Sequence, residues 1–276
     1  MSNLEKYFEK FRNNIVGIDA TYKTVYGEQK LIYADWIASG RLYRPIEDKM
    51  LDVFGPMVAN THTESSHTGK FMTDAYHFAL KEIKRHVNAG KEDVIVTSGF
   101  GMTSSINKFQ RILGFKNSSF VFENPKERPV VFVTHMEHHS NQTSWYETIA
   151  EVVVVEPDNR LTVSPDELRK VVKKYADRPM KIGSFTACSN VTGIKTPYHE
   201  LAKVMHEEGG LCFVDFAASA PYVEMNMHPA DPMMKLDAIF FSPHKFLGGP
   251  GASGVLIFNS QLYKNRVPDH PGGGKI

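Results

Sequence analysis

Short apolar runs of strand length alternate with longer helical patterns along most of this chain. DVIVT is followed by SSINKFQRIL, then PVVFVTH, EVVVVEP with SPDELRKVVKKYA, KIGSFTA with PYHELAKVMHEEG, and finally LCFVDF, DAIFFS and GVLIF. Runs this rich in Val, Ile, Leu and Phe suit strands covered on both faces. The alternation therefore predicts an α/β fold built on a mainly parallel sheet with helices on both faces. Helix boundaries are signposted as well. Ser164 before Pro165, Asp166 and Glu167 reads as an N-cap, a pre-set first turn and dipole-complementing acids, and Gly209 and Gly210 close the helix that begins near Tyr198.

The first ninety or so residues follow a different pattern: a short strand LIYAD, a helix from about Ile46, a loop ANTHTESSHTG and a long helix from Thr73 to about Asn88. We expect residues 1–90 to form an N-terminal arm contributing to one large domain, 91–268 to form its α/β body, and the glycine-rich 269–276 to be a terminal linker. A chain of 276 residues that is 42% hydrophobic can bury one sizeable core. Lys and Arg total 32 against 31 for Asp and Glu, which gives no field favouring nucleic acid or an anionic membrane. No apolar run approaches the roughly eighteen residues of a membrane span, and the charged start from Met1 to Asn14 does not read as a signal peptide, so a cytoplasmic location is expected. Cys188 and Cys212 lie in apolar runs and read as reduced, structural residues.

Candidate chemistry gathers at strand ends. Asp215 closes VDF, and Lys245 follows thirty positions later in FSPHKFLGGPGASG. In a parallel sheet both would emerge at the carboxyl edge, where open α/β folds bind ligands. Taken alone, Lys245 reads more readily as a snorkelling surface lysine after an edge strand. Gly99, Gly101 and Thr103 stand between a strand and a helix, which presents backbone N–H groups and a hydroxyl to an anion. The same stretch is a partial dinucleotide fingerprint with Ser104 in place of the third glycine. His138 and His139, with His135 nearby, allow three readings: a metal site, an imidazole stacked on a flat cofactor, or structural histidines. The H-x-x-H-H spacing makes metal the weakest of these.

From about Tyr33 to its end the chain resembles the class V aminotransferase and cysteine desulfurase family of pyridoxal-phosphate (PLP) enzymes. The resemblance rests on GMTSSIN, MEHHSNQTSW, CSNVTGIKTP, VDFAASAPYVEMNMHP, LDAIFFSPHKFLGGPGASGVLIF and PGGG, in that order. It implies the large domain of fold type I with its mainly parallel seven-stranded sheet, pyridoxal 5'-phosphate as cofactor, a homodimer, an amino-acid substrate, and transamination or a desulfurase-like elimination. It makes Lys245 the Schiff-base lysine and general base, Asp215 the partner of the pyridine nitrogen and His138 the residue stacked on the ring. Asn190 falls near the phenolic oxygen, and Gly101, Met102, Thr103, Ser242 and His244 form the phosphate set, with Ala217 also in the cofactor site. Two departures stand out. Ala218 occupies a position where desulfurases carry a glutamine, and the family's small domain, with its carboxylate-binding arginine, is expected to be missing after PGGG. Arg41 and Arg44 are conceivable substitutes, although a solvated surface role fits both of them better. The alternatives are a non-catalytic domain that keeps the PLP scaffold for binding or assembly, and an NAD-binding domain.

Overall fold

The computed structural model describes residues 2–116 and 122–271. The end of the expected linker, residues 272–276, lies outside the described residues. The chain divides into two compact units, one of Met1–Ala79 with Pro243–Ala252 and one of Leu80–Ser242 with Ser253–Ile276.

In the smaller unit α1 (Asn3–Arg12) starts at a capping box, the Ser2 hydroxyl accepting from the Glu5 amide at 3.2 Å while the Glu5 carboxylate accepts from the Ser2 amide. Next comes an antiparallel hairpin of β1 (Thr21–Thr24) and β2 (Gly27–Lys30). The strand expected over LIYAD is absent. Leu31 makes one backbone bond to Ala20, and the chain then leaves the hairpin to wrap around Tyr33, whose hydroxyl donates to the carbonyls of Asp35 and Ser39. The hairpin is polar and exposed, so an apolar alternation does not reveal it. Then follow α2 (Arg44–Lys49), with Pro45 in its first turn, and α3 (His67–His86), whose residues from Leu80 onward belong to the larger unit. The latter begins a turn and a half before the expected Thr73, because the Ser66 hydroxyl accepts from the Gly69 amide and caps the helix there.

The larger unit holds the sheet, in the order β3 (Asp93–Phe100), β9 (Ser253–Asn259), β8 (Ala238–Phe241), β7 (Leu211–Asp215), β6 (Lys181–Thr186), β4 (Val130–Thr134) and β5 (Glu151–Val155). The pairings from β8 through β5 are parallel and those of β9 antiparallel, so the mainly parallel seven-stranded sheet is present as expected. Its helices are α4 (Gly101–Ile112), α5 (His139–Tyr146), α6 (Pro165–Val172) and α7 (Tyr198–Glu207). Alternation along β6 assigns them to faces: Ser184 bonds to Asn141 of α5, whereas Gly183 packs against Met205 of α7. On the α4 side Phe109 is fully buried, with its ring 5.0 Å from Phe213 and 4.9 Å from Phe258. Ser164 caps α6 by accepting from the Glu167 amide, and the Gly210 amide closes α7 on the Met205 carbonyl. Cys212 is buried and Cys188 half-buried, both as free thiols. Among the described residues no helix is long and apolar enough to cross a membrane.

Candidate functional site

The connection from β3 into α4 turns on two glycines with left-handed backbone, Gly99 (φ +49°) and Gly101 (φ +66°). A Cβ on Gly99 would lie 2.5 Å from the Ser104 hydroxyl, which accepts from the Phe100 amide. Ser104, in the place of a third fingerprint glycine, thus locks the turn. The loop also presses on β9, since a Cβ on Gly254 would lie 1.9 Å from the Gly101 carbonyl oxygen. The first turn of α4 opens at the carboxyl edge with the positive end of its dipole. There the Met102 amide donates to the Ser242 hydroxyl at 2.8 Å, and the Thr103 hydroxyl donates to that of Ser140 at 2.7 Å, tying the start of α4 to the start of α5.

His138 is the N-cap of α5, its Nδ1 accepting from the Ser140 amide at 3.1 Å. In the neutral ring that bond leaves the proton on Nε2. His135 meets the Leu161 carbonyl through Nε2 instead, and the His138 and His139 rings stand 6.4 Å apart. Among the described residues no three His, Cys, Asp or Glu side chains come together as a metal-binding group.

Asp215 ends β7 with 3% of its surface exposed, in register with Thr186 of β6. Its Oδ1 accepts from the Ala217 amide at 2.7 Å, and its carbonyl accepts from the Ala187 amide at 2.8 Å. Asn190 lies in the turn between Cys188 and Lys195, a turn held by the Ser189 hydroxyl accepting from the amides of Val191 and Thr192. The sequence reading passed over one residue of this edge. Glu137 accepts from the Thr186 amide at 3.0 Å, the Thr134 hydroxyl at 2.8 Å and the Asn141 side-chain amide at 2.7 Å. Burial pushes its carboxyl up to about 7, those hydrogen bonds oppose the rise, and the negative charge of Asp215 adds to it. The available signal was an acid placed directly between a strand end and a helix cap in THMEHHSN.

Lys245 and His244 belong to the smaller unit, in a single 3-10 turn from Pro243 to Lys245. The His244 carbonyl accepts from the Gly40 amide at 2.9 Å, and the Arg41 carbonyl accepts from the Gly248 amide at 2.7 Å. A Cβ on Gly40 would lie 1.9 Å from the Phe246 carbonyl oxygen, so only glycine allows the two segments to approach this closely. Burial and the charge of Lys245 hold the His244 imidazole below its ordinary range. Arg41 lies over the Tyr33 ring at 4.8 Å and donates to the Val16 carbonyl, contacts that give its guanidinium a packing role within this unit.

A family model described as aminotransferase class-V matches residues 32–276. A cysteine desulfurase of Synechococcus elongatus is 29% identical over 250 residues, which cover 89% of this chain and 37% of the relative. A probable cysteine desulfurase of Halalkalibacterium halodurans is 27% identical over 251 residues, which cover 89% and 57%. The chain thus spans less than two thirds of the length of these curated relatives. Among solved structures, the apo cysteine desulfurase of Thermococcus onnurineus superposes with a TM-score of 0.72 at 22% identity, covering 96% of this chain and 60% of that one, a likeness of fold.

Proposed function

The chain belongs to the aminotransferase class-V family, and from that premise we propose that it binds pyridoxal 5'-phosphate and serves the transformation of an amino acid, by transamination or by a cysteine desulfurase-like elimination. The observation that carries this reading is the chemistry gathered at one edge of the sheet: a buried acid at the end of β7 and hydroxyls bridging the N-termini of α4 and α5. An acid for a cationic ring nitrogen and helix N-termini for a phosphate are the donor set this cofactor requires.

PLP, when bound, supplies an electron sink for a carbanion at the substrate's α-carbon. Asp215 would keep the ring nitrogen protonated, with its carboxylate oriented by the Ala217 amide. The Gly101 amide and the Thr103, Ser242 and His244 side chains would hold the phosphate. The Met102 amide is already donating to Ser242 and would position that hydroxyl. His138 would stack on the ring and Asn190 would donate near the phenolic oxygen. Lys245 would hold the cofactor's aldehyde and, once released by substrate, move the α-proton as a general base. Relatives named as cysteine desulfurases favour L-cysteine as substrate. A homodimer in the cytoplasm is the setting we assign to it.

Borohydride reduction of the PLP-loaded protein followed by peptide mapping tests the reading. A pyridoxyl group on Lys245 is the expected result, and a label on another lysine, or no label with excess PLP, overturns it.

A further inference from the structure

Arg41, in the smaller unit, has its guanidinium fixed in place without the help of an acid. The flat face lies over the Tyr33 ring at 4.8 Å, and Nη2 donates to the Val16 carbonyl at 3.3 Å. Gly17, with left-handed backbone (φ +80°), makes room for it, since a Cβ there would lie 3.1 Å from Nη2. Tyr33 is held in turn. Its hydroxyl donates to the carbonyls of Asp35 and Ser39, each at 2.9 Å, and its ring meets Trp36 edge-on at 6.0 Å. Among the described residues no carboxylate pairs with Arg41, and no acceptor beyond the Val16 carbonyl meets its fork.

The same side chain lines a cavity of about 390 Å³ with Val16, Leu42 and Pro250 as apolar walls, all within the smaller unit. That is a volume suited to a small ligand. A guanidinium stays charged at any ordinary pH, so the unmatched group selects an anion. The other lining groups say which kind. The Gly40 amide donates to the His244 carbonyl at 2.9 Å, the Val16 amide to the Leu42 carbonyl at 3.0 Å, and the Ser39 hydroxyl to the Gly40 carbonyl at 3.1 Å. These donors are spent within the fold. A tetrahedral phosphate or sulfate, which calls for several donors, would find one guanidinium and apolar walls. A carboxylate is satisfied by the fork alone, which matches its two oxygens, while the walls cover a hydrocarbon body beside it.

We propose that the smaller unit binds an organic carboxylate with a small apolar body, its two oxygens on the Arg41 guanidinium and its body against Val16, Leu42 and Pro250. The site needs no cofactor, so it does not rest on the PLP reading. It adjoins the Lys245 turn all the same: the Arg41 carbonyl accepts from the Gly248 amide at 2.7 Å, which ties the residue that meets the ligand to the segment following that lysine.

The test is indole 15N NMR of the full chain without PLP, titrated with sodium benzoate, with its neutral counterpart benzamide, and with inorganic phosphate. The chain has two tryptophans. Trp36 stands beside Tyr33 and reports on the cavity, Trp145 is fully buried in the larger unit and serves as the reference, and Trp36→Phe assigns the signals. Benzoate should shift the Trp36 signal saturably and leave that of Trp145 in place. Benzamide and phosphate should bind at least roughly tenfold more weakly. Arg41→Met keeps an unbranched stem on Tyr33 and should abolish the shift, and Arg41→Lys, with the charge but not the fork, should weaken benzoate binding roughly tenfold. Should the variants fail to fold, the contrast between benzoate and the other two probes in the wild-type chain decides. No saturable shift of Trp36 up to about 10 mM benzoate, an equal response to benzamide or phosphate, or an undiminished response in Arg41→Met overturns the inference.

Discussion

His206 and Asp237 form a buried ion pair, 2.7 Å between Nε2 and Oδ2, at the amino end of the sheet. The other imidazole nitrogen meets the Met233 carbonyl at 2.7 Å, so both nitrogens face acceptors, an arrangement that only the doubly protonated ring satisfies in full. Burial opposes the charge of His206, but Asp237 and Met233 outweigh it and the pKa is raised. Burial likewise opposes the charge of Asp237, while His206, the Cys212 amide and Lys235 bring its pKa below the ordinary value.

Linkage gives the sign. The raised His206 contributes stability that is present in full below its unfolded value and is lost as pH rises through the folded one. The lowered Asp237 contributes stability present above its unfolded value and lost as pH falls through the folded one. Stability from this pair should therefore peak in mildly acidic solution, above the ordinary Asp range and below the ordinary His range, and decline as pH rises toward the raised His206 value. Urea unfolding at a series of pH values checks this. His206→Leu should cost about 3–5 kcal/mol in that window and flatten the alkaline limb, because it leaves Asp237 buried without its main partner. An unchanged pH profile in the variant would contradict the ion pair.

Gly254→Ala tests the packing of β9 against the start of α4. Its added methyl would lie 1.9 Å from the Gly101 carbonyl oxygen, which is backbone and cannot swing aside. The turn bearing Gly101, Met102 and Thr103 has to shift, at a cost of about 1–3 kcal/mol. PLP retention, measured by absorbance after gel filtration, should fall with it. Gly55→Ala, where the nearest atom outside the chain neighbours is 3.5 Å away, should leave PLP retention unchanged, any stability cost there coming from Pro56, which disfavours a helical residue with a Cβ before it. Equal behaviour of the two variants would show that the turn tolerates the shift.

The sheet was legible because each of its strands is an apolar run bounded by helix caps or glycines, and periodicity reports burial directly. The β1–β2 hairpin was not, since polar residues point to both of its faces and its register comes from backbone bonds supplemented by polar side-chain bonds such as that of the Thr21 hydroxyl to Glu28. Asp215 and His138 could be singled out because each closes or follows an apolar strand. Glu137 could not. Its place depends on donors from β4, β6 and α5 that meet only in three dimensions, and an acid within a polar stretch looks exposed in one dimension. The Met102 amide offers a similar lesson. The resemblance implies it as a phosphate donor, and the contact that the fold gives it is with Ser242, a residue 140 positions away.

The two adjacent histidines separate capping from stacking. His138 accepts from the Ser140 amide through Nδ1, so His138→Ala removes both the cap of α5 and any ring stacked on the cofactor. Losing the cap should cost about 1 kcal/mol of stability. His138→Asn keeps a side-chain acceptor for the same amide but has no aromatic face. It should recover most of the stability lost in the alanine variant while leaving PLP retention and the visible spectrum as impaired as they are there. His139→Ala removes the first residue of α5 beyond the cap and should perturb both readouts far less. Urea unfolding and absorbance titration with PLP, run on all three variants, give the answer. Recovery of PLP binding by asparagine would make the cap the whole contribution of His138 and withdraw its role as the stacking residue. Comparable losses in His138→Ala and His139→Ala would do the same, because the bond to Ser140 belongs to His138 alone of the two.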